Sequence, residues 1–479
     1  MSDLYPPPIS AERNRGTAGF AALFGFARVE ITPPVGIYMR NWGAADFDTA
    51  ESVHRPLYMT ALSIYPLDRA SKESPYLLVS ADLGWWKSAR IFEEMQARVL
   101  ADVNLPREAF WFSLAHTHAA APLQPANHEL PGGELLGDYL QLVEKKTSEV
   151  IRKAFNAMEP GVLDWHYGKC ALAKNRDLPD PDRSETAISC GFHPEGLADD
   201  TLLVGRVTSD EGVLLGTLIN YACHPTTLAW QNRAISPDYV GAMQELVEAE
   251  TGALSLFLQG ASGELAPREQ YTGDLDVVDR HGRQLGHAVL ATLADMHPAS
   301  SRYVYDGVKE SGAPLAVHKY QQLPPRTDQQ AILDAVPLVL KEWPTADELK
   351  QQADNSADRF QQERLYRQRE IRTYVGDDRE WPLPLWCWQL GDAILIGTMA
   401  EAYSVLQRTL RERYPDIPIV CVNLLNGSIG YLAPAPLYDR EIYQVWQSPF
   451  AKGSLERLID GAVQLVDSIL SERKAAPAQ

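Results

Sequence analysis

Cysteine is scarce: five residues in 479, at Cys170, Cys190, Cys223, Cys387 and Cys421, widely spaced and odd in number. No CxxC pair occurs, so neither a disulfide scaffold nor a thiolate zinc site is expected. Basic residues are short as well. Against 63 acidic residues stand 44 basic ones, a net charge of −19 that repels phosphate backbones. That balance argues against nucleic acid or an anionic membrane as a partner. No uncharged apolar run reaches the ~18 residues of a membrane span. The opening MSDLYPPPISAERNRG lacks the apolar stretch of a signal peptide, so a cytoplasmic location is expected. The 33 Pro and 32 Gly follow no period, which excludes collagen-like and low-complexity chains. What remains, 45% hydrophobic and 22% charged residues, is the composition of a globular protein.

Three consecutive prolines and AERNRG make residues 1–23 read as a flexible arm. A single domain is expected over 24–470, with a tail at 471–479. FGFARVEIT, from Phe24, alternates like a strand until Pro33 and Pro34 stop it. Short apolar runs recur as TALSIYP, YLLVSADLG, AFWFSLAHTH, TLLVGRV and VLLGTLINYA, and later as AILIGTMAE and IPIVCVNLLNG. Each reads as a buried strand. Helical spacing lies between them at 89–103 and 136–158. Strands alternating with amphipathic helices give an α/β or mixed α+β body. The stretch 320–375, rich in charge and Gln, reads as one or two inserted helices facing solvent. It is the best candidate for a lid or for the contact of a homo-oligomer.

The sharpest local feature is His116-Thr117-His118 at the end of AFWFSLAHTH. On a strand both imidazoles would share one face, as a metal ligand and a neighbouring acid/base group, or as two polar loop residues. His224, in NYACHPTTL, repeats the placement. Asp238, in ISPDYVGAM, either orients a histidine or caps the following helix, and the cap fits the local sequence better. FLQGASGELAP is a Gly-punctuated turn with free backbone N–H groups, but it is neither a G-x-S-x-G elbow nor a Walker loop. Glu401 ends another apolar run, where burial demands a partner that a metal would supply. Tyr431 follows the Gly-rich loop NGSIG. Trp85, Trp86 and Trp230 are candidates for an aromatic pocket or for core packing.

In order along the chain, FARVEITPP, HRPLYMTAL, AHTHAAAP, NRDLP, NYACHPTTL with ISPDYVGAM, QGASGELAP, TMAEAY and NGSIGYLAP resemble the motifs of the neutral/alkaline (non-lysosomal) ceramidase family. The resemblance spans roughly residues 24–465 and is to that family's N-terminal catalytic domain. It implies one zinc ion per chain, held by His116, His224, Glu401 and Tyr431. It implies His118 as proton shuttle or oxyanion partner, Arg176 as a substrate contact and Tyr443 facing the scissile carbonyl. Three departures accompany it. Ala266 stands where the family has a serine, no secretory signal is read, and little chain follows SLERLIDGAVQLVDSIL to build the family's extra β-sandwich. The expected function is a zinc-dependent hydrolase of a C–N amide bond, acting on an N-acyl compound smaller and more soluble than ceramide. Nitrogen and oxygen ligands would also accept manganese or iron. The alternatives are a TIM-barrel metal-dependent amidohydrolase, which also begins with HxH at a strand end, and a lipid- or glycan-binding member without catalysis.

Overall fold

Strands that are apolar on both faces need cover on both sides. The computed structural model, which describes residues 18–68 and 74–475, supplies that cover in four layers. Eight strands form the first sheet: β1 (Phe20–Glu30), β2 (Tyr58–Tyr65), β3 (Tyr76–Ala81), β4 (Phe110–Leu114), β5 (Glu159–Lys169), β6 (Thr201–Ser209), β7 (Leu214–Tyr221) and β8 (Leu254–Gln259). Their spatial order is β8-β7-β6-β5-β1-β2-β3-β4. The second sheet runs β9 (Gln329–Val339), β10 (Glu380–Leu390), β11 (Ala393–Thr398) and β12 (Ile419–Val422), in that order. The helices are α1 (Ala89–Val103), α2 (Leu136–Asn156), α3 (Tyr239–Thr251), α4 (Leu275–Asp295), α5 (Ala346–Asn355), α6 (Arg359–Val375), α7 (Val405–Arg413), α8 (Tyr443–Gln447) and α9 (Ser454–Ala475). None of the described helices is long and apolar enough to cross a membrane.

The period of two along each strand sorts its side chains between the layers. In β3, Leu77 and Val79 face the core under α1 and α2, whereas Tyr76 and Leu78 face the second sheet. In β8, Phe257 packs under α3 and α4, while Leu256 and Leu258 turn to the second sheet. The outer face of the second sheet is closed by Leu406 and Leu410 of α7 and by Leu455, Leu458 and Val466 of α9. α1 shows how the sequence sets this. Phe92, Met95 and Val99 recur at helical spacing on its buried side, and Asn104 ends the helix in the left-handed region at φ 53°.

One arrangement recurs three times: an antiparallel pair, a helix, then a strand parallel to the second of the pair. The units are β2-β3-α1-β4, β6-β7-α3-β8 and β10-β11-α7-β12. A parallel neighbour requires a crossover, and a helix is what the chain inserts each time. The C-terminal ends of the three units meet. Asn423 N–H donates to Gln259 O at 2.9 Å, Leu425 N–H to Thr398 O at 3.0 Å, and the Asn426 side chain bonds Phe112 N and Phe110 O at 2.7 and 2.8 Å.

The mixed α/β class is as expected, and three other expectations need correction. The body begins at Phe20 rather than Phe24, because Phe20, Ala22 and Phe24 are all buried in the inter-sheet core; residues 1–17 of the expected arm and 476–479 of the tail lie outside the described residues. Within 320–375 only α5 and α6 are helical, and Gln329–Val339 is an edge strand paired with β10. The TIM barrel is excluded, since the larger sheet is open and mostly antiparallel.

The two sheets are joined through tilted ring contacts: the Trp388 ring of β10 lies 4.7 Å from that of Trp111 of β4 and 5.0 Å from that of Tyr76 of β3, and its Nε1–H donates to Glu108 O at 2.7 Å. Trp388→Ala is expected to cost about 3–5 kcal/mol. Trp388→Phe, which keeps most of the ring, should cost about 1 kcal/mol for the lost hydrogen bond plus a small packing loss. Urea unfolding of both variants checks the order.

Candidate metal centre

His116, His224 and Glu401 each sit just past a strand end of one of the recurring units. β4 stops at Leu114, so His116 and His118 do not continue the strand, contrary to the expected same-face placement. His116 instead adopts φ 72°, in the left-handed region that non-glycine residues seldom enter. Its N–H donates to Leu83 O at 2.8 Å and its Nδ1 lies 3.0 Å from Gly84 O. The reversal brings the His116 and His118 rings to 4.9 Å by a bend, not by pleat periodicity. His224 follows β7; its N–H donates to Leu265 O at 2.8 Å, and its Nδ1 lies 2.7 Å from Ser262 O. Glu401 and Tyr431 face each other as partners in a short parallel ladder, 401–402 against 431–432. Gly430, just before Tyr431, lets the chain pass close to Gln447. At φ 91°, a Cβ there would lie 2.4 Å from Gln447 O.

The ligand atoms of His116, His224 and Glu401 all lie within 4.8 Å of one another. Glu401 Oε2 is 3.2 Å from His116 Nε2 and 3.0 Å from His224 Nε2, and Tyr431 OH is 3.4 Å from His224 Nε2. Carbonyl oxygens only accept, so Nδ1 carries the proton in both imidazoles. Each Nε2 therefore turns a lone pair toward a carboxylate oxygen. Burial, followed by the Arg176 guanidinium, pushes the His224 imidazole down to about 3, so it is neutral near pH 7. Arg176 Nη2 lies 3.2 Å from His224 Nε2 and offers it one N–H, whereas His116 Nε2 is buried with no hydrogen-bond donor. Two imidazole nitrogens and a carboxylate thus converge as acceptors with the Tyr431 phenol beside them, a set of nitrogen and oxygen ligands that fits a zinc-like cation.

The group opens into a cavity of about 500 Å³. His118 lies in its aromatic wall, 4.9 Å from Trp85 and 5.2 Å from Trp42, which in turn packs on Trp230 and Tyr271. Arg176 also lines it, donating to Gly263 O at 2.8 Å and to Tyr431 OH at 3.3 Å. The Tyr443 ring is 5.8 Å from that of Tyr431, and its hydroxyl accepts from Arg367 at 3.2 Å. Asp238 is the helix cap: one oxygen accepts from Tyr239 N at 2.7 Å and the other from Leu228 N at 2.9 Å. Ser262 Oγ accepts from Gln259 Nε2 at 2.6 Å and is buried, as is Ala266 in the strand 265–267. Trp85 and Trp230 line the cavity, whereas Trp86 also packs on Phe92 and Phe112. Trp42, Lys87, Tyr271 and Arg367 went unread, because nothing near them in sequence marks a site.

Solved structures with this fold include two ceramidases. A neutral ceramidase from Pseudomonas aeruginosa superposes with a TM-score of 0.62 at 17% identity, covering 96% of this chain and 76% of the other. A ceramidase complexed with C2 gives 0.63 at 16% identity over the same shares of the two chains. No protein-family model and no curated protein matches the chain.

A metal that binds only the folded chain must stabilise it. Adding zinc to chelator-treated protein should raise Tm, and Glu401→Gln should remove most of that rise; an equal rise in both contradicts the site. A second expectation concerns Glu264, which accepts from Ser404 N at 2.9 Å and which burial pushes up to about 7. The folded state holds this proton more tightly than the unfolded chain. The linked stability is therefore fully present below about pH 4 and lost as pH rises through about 7. Glu264→Gln should flatten the fall of Tm between about pH 5 and 8.

Proposed function

We propose that this chain, built on the neutral-ceramidase fold, is a zinc-dependent hydrolase that cleaves the C–N amide bond of an N-acyl compound. The observation that carries this reading is the convergence of His116 Nε2, His224 Nε2 and Glu401 Oε2 at the wall of a substrate-sized cavity. His116, His224, Glu401 and Tyr431 would hold the ion, one per chain. Zinc supplies Lewis-acid polarisation of the amide carbonyl and a water-derived nucleophile near neutral pH.

The protein's own groups do the rest. His118 presents a buried Nε2 with no hydrogen-bond partner. Burial, then His116 and His224, hold its imidazole well below its usual range, so it stands neutral, and a proton taken from the attacking water is readily given up again. Returning that proton to the amide nitrogen as the C–N bond breaks gives an acid and an amine. Tyr443 accepts from Arg367, which leaves its own O–H free to donate to the oxygen that gains charge. Burial raises this phenol, so it keeps its proton. Arg176 orients the Tyr431 hydroxyl and adds fixed positive charge to the wall that faces the substrate. With Ser262 tied to Gln259 and alanine at 266, no serine is assigned a step. The cavity volume favours a compact N-acyl compound over ceramide with its two long chains.

The zinc-loaded protein should hydrolyse members of a panel of N-acyl amino acids, acylated amines and ceramide. His118→Ala is expected to lower kcat by about 10²–10⁴ while metal content stays the same. Tyr443→Phe should lower it by about 10²–10³. A metal-loaded protein inert on the whole panel contradicts the reading and favours a binding role.

A further inference from the structure

The charge of the cavity opposes that of the chain. The protein carries a net charge of −19, yet the charged side chains lining the cavity are Lys87, Arg176 and Arg367 against one carboxylate, Glu401. Glu401 belongs to the metal centre, and Arg176 is committed to Gly263 O and Tyr431 OH. Lys87 and Arg367 remain. Among the described residues neither forms an ion pair. Lys87 Nζ lies 4.8 Å from the Trp85 ring, and Arg367 donates to the neutral Tyr443 hydroxyl. Glu363, one turn earlier on α6, is taken by Arg40 at 2.9 Å. Burial, and then Arg367, push the Lys87 ammonium down to about 7. Two half-buried nitrogen donors that face the cavity with no acidic partner are placed to take an anionic ligand.

Their position relates them to the reacting centre. Lys87 is one ring away from His118, since Trp85 lies 4.9 Å from that imidazole. Arg367 is one phenol away from Tyr431, through Tyr443. We propose that Lys87 and Arg367 form an anion subsite, and that the amide substrate carries an anionic group, a carboxylate or a phosphate, a few bonds from the scissile carbonyl. The substrate class rests on the hydrolase reading; the subsite does not. An N-acyl amino acid has the required form, with an amide carbonyl at one end, a carboxylate at the other and an acyl group for the Trp42–Trp85 wall.

Calorimetric titration of the zinc-loaded protein with N-benzoylglycine, its methyl ester and phenyl phosphate tests this. Lys87→Gln and Arg367→Gln should each weaken binding of N-benzoylglycine, of phenyl phosphate or of both by about tenfold or more. Binding of the neutral ester should be unchanged. Whichever anion loses affinity identifies the group, and Lys87→Arg should restore it. Any direct contact of the anion with zinc is common to all the proteins and cancels. Equal binding of both anions by wild type and Lys87→Gln overturns the subsite and leaves the hydrolase reading standing. Lys87-dependent binding in a protein that cleaves no amide supports the subsite and removes the hydrolase reading.

Discussion

Acceptors facing acceptors are the constraint on which the site depends. With the protons of His116 and His224 fixed on Nδ1 by backbone carbonyls, both Nε2 lone pairs point at the Glu401 carboxylate from about 3 Å. In a buried setting that arrangement is repulsive unless a cation sits between the atoms. Arg176 answers part of the need at His224 and none of it at His116. Burial keeps the His224 imidazole neutral, the state in which it ligates metal best.

The fold delivers these atoms through one device used three times. A hairpin followed by a helical crossover places a strand end beside its parallel neighbour, and ligands collect beyond the carboxyl ends of such pairs. His116 follows the last strand of the first unit, His224 the central strand of the second, and Glu401 the central strand of the third. Because the third unit lies in the other sheet, the contact between sheets through Trp111 and Trp388 bears on the registry of the ligands as well as on stability. α6 then closes the cavity from outside. Arg40–Glu363 at one end and Tyr374–Glu93 at the other pin it to the body while Arg367 and Ile371 face inward.

Much of this was legible in the sequence, and the reasons differ by element. Runs such as YLLVSA and AILIGT are apolar on both faces, so their ends, and the polar residues placed there, stand out. His116, His224 and Glu401 were found that way; Tyr431, Arg176 and Tyr443 gained their roles only through the family resemblance. The HTH reading puts both rings on one face of a strand, whereas a left-handed residue, which sequence rarely betrays, replaces the strand and brings them together by a bend. The charge of 346–375 masked the strand AILDAVPLVL just before it, so the helical insertion was drawn too long. Lys87 and Arg367 were invisible for a different reason. They are 280 positions apart in the chain and share a cavity only after α6 folds over the loop that follows β3.

The most direct measurement is an anomalous-difference map at the zinc edge from crystals of the purified protein. The account predicts one peak, within about 2.0–2.3 Å of His116 Nε2, His224 Nε2, a Glu401 oxygen and the Tyr431 hydroxyl. No peak there after zinc is supplied, or a peak bound by other residues, would contradict it.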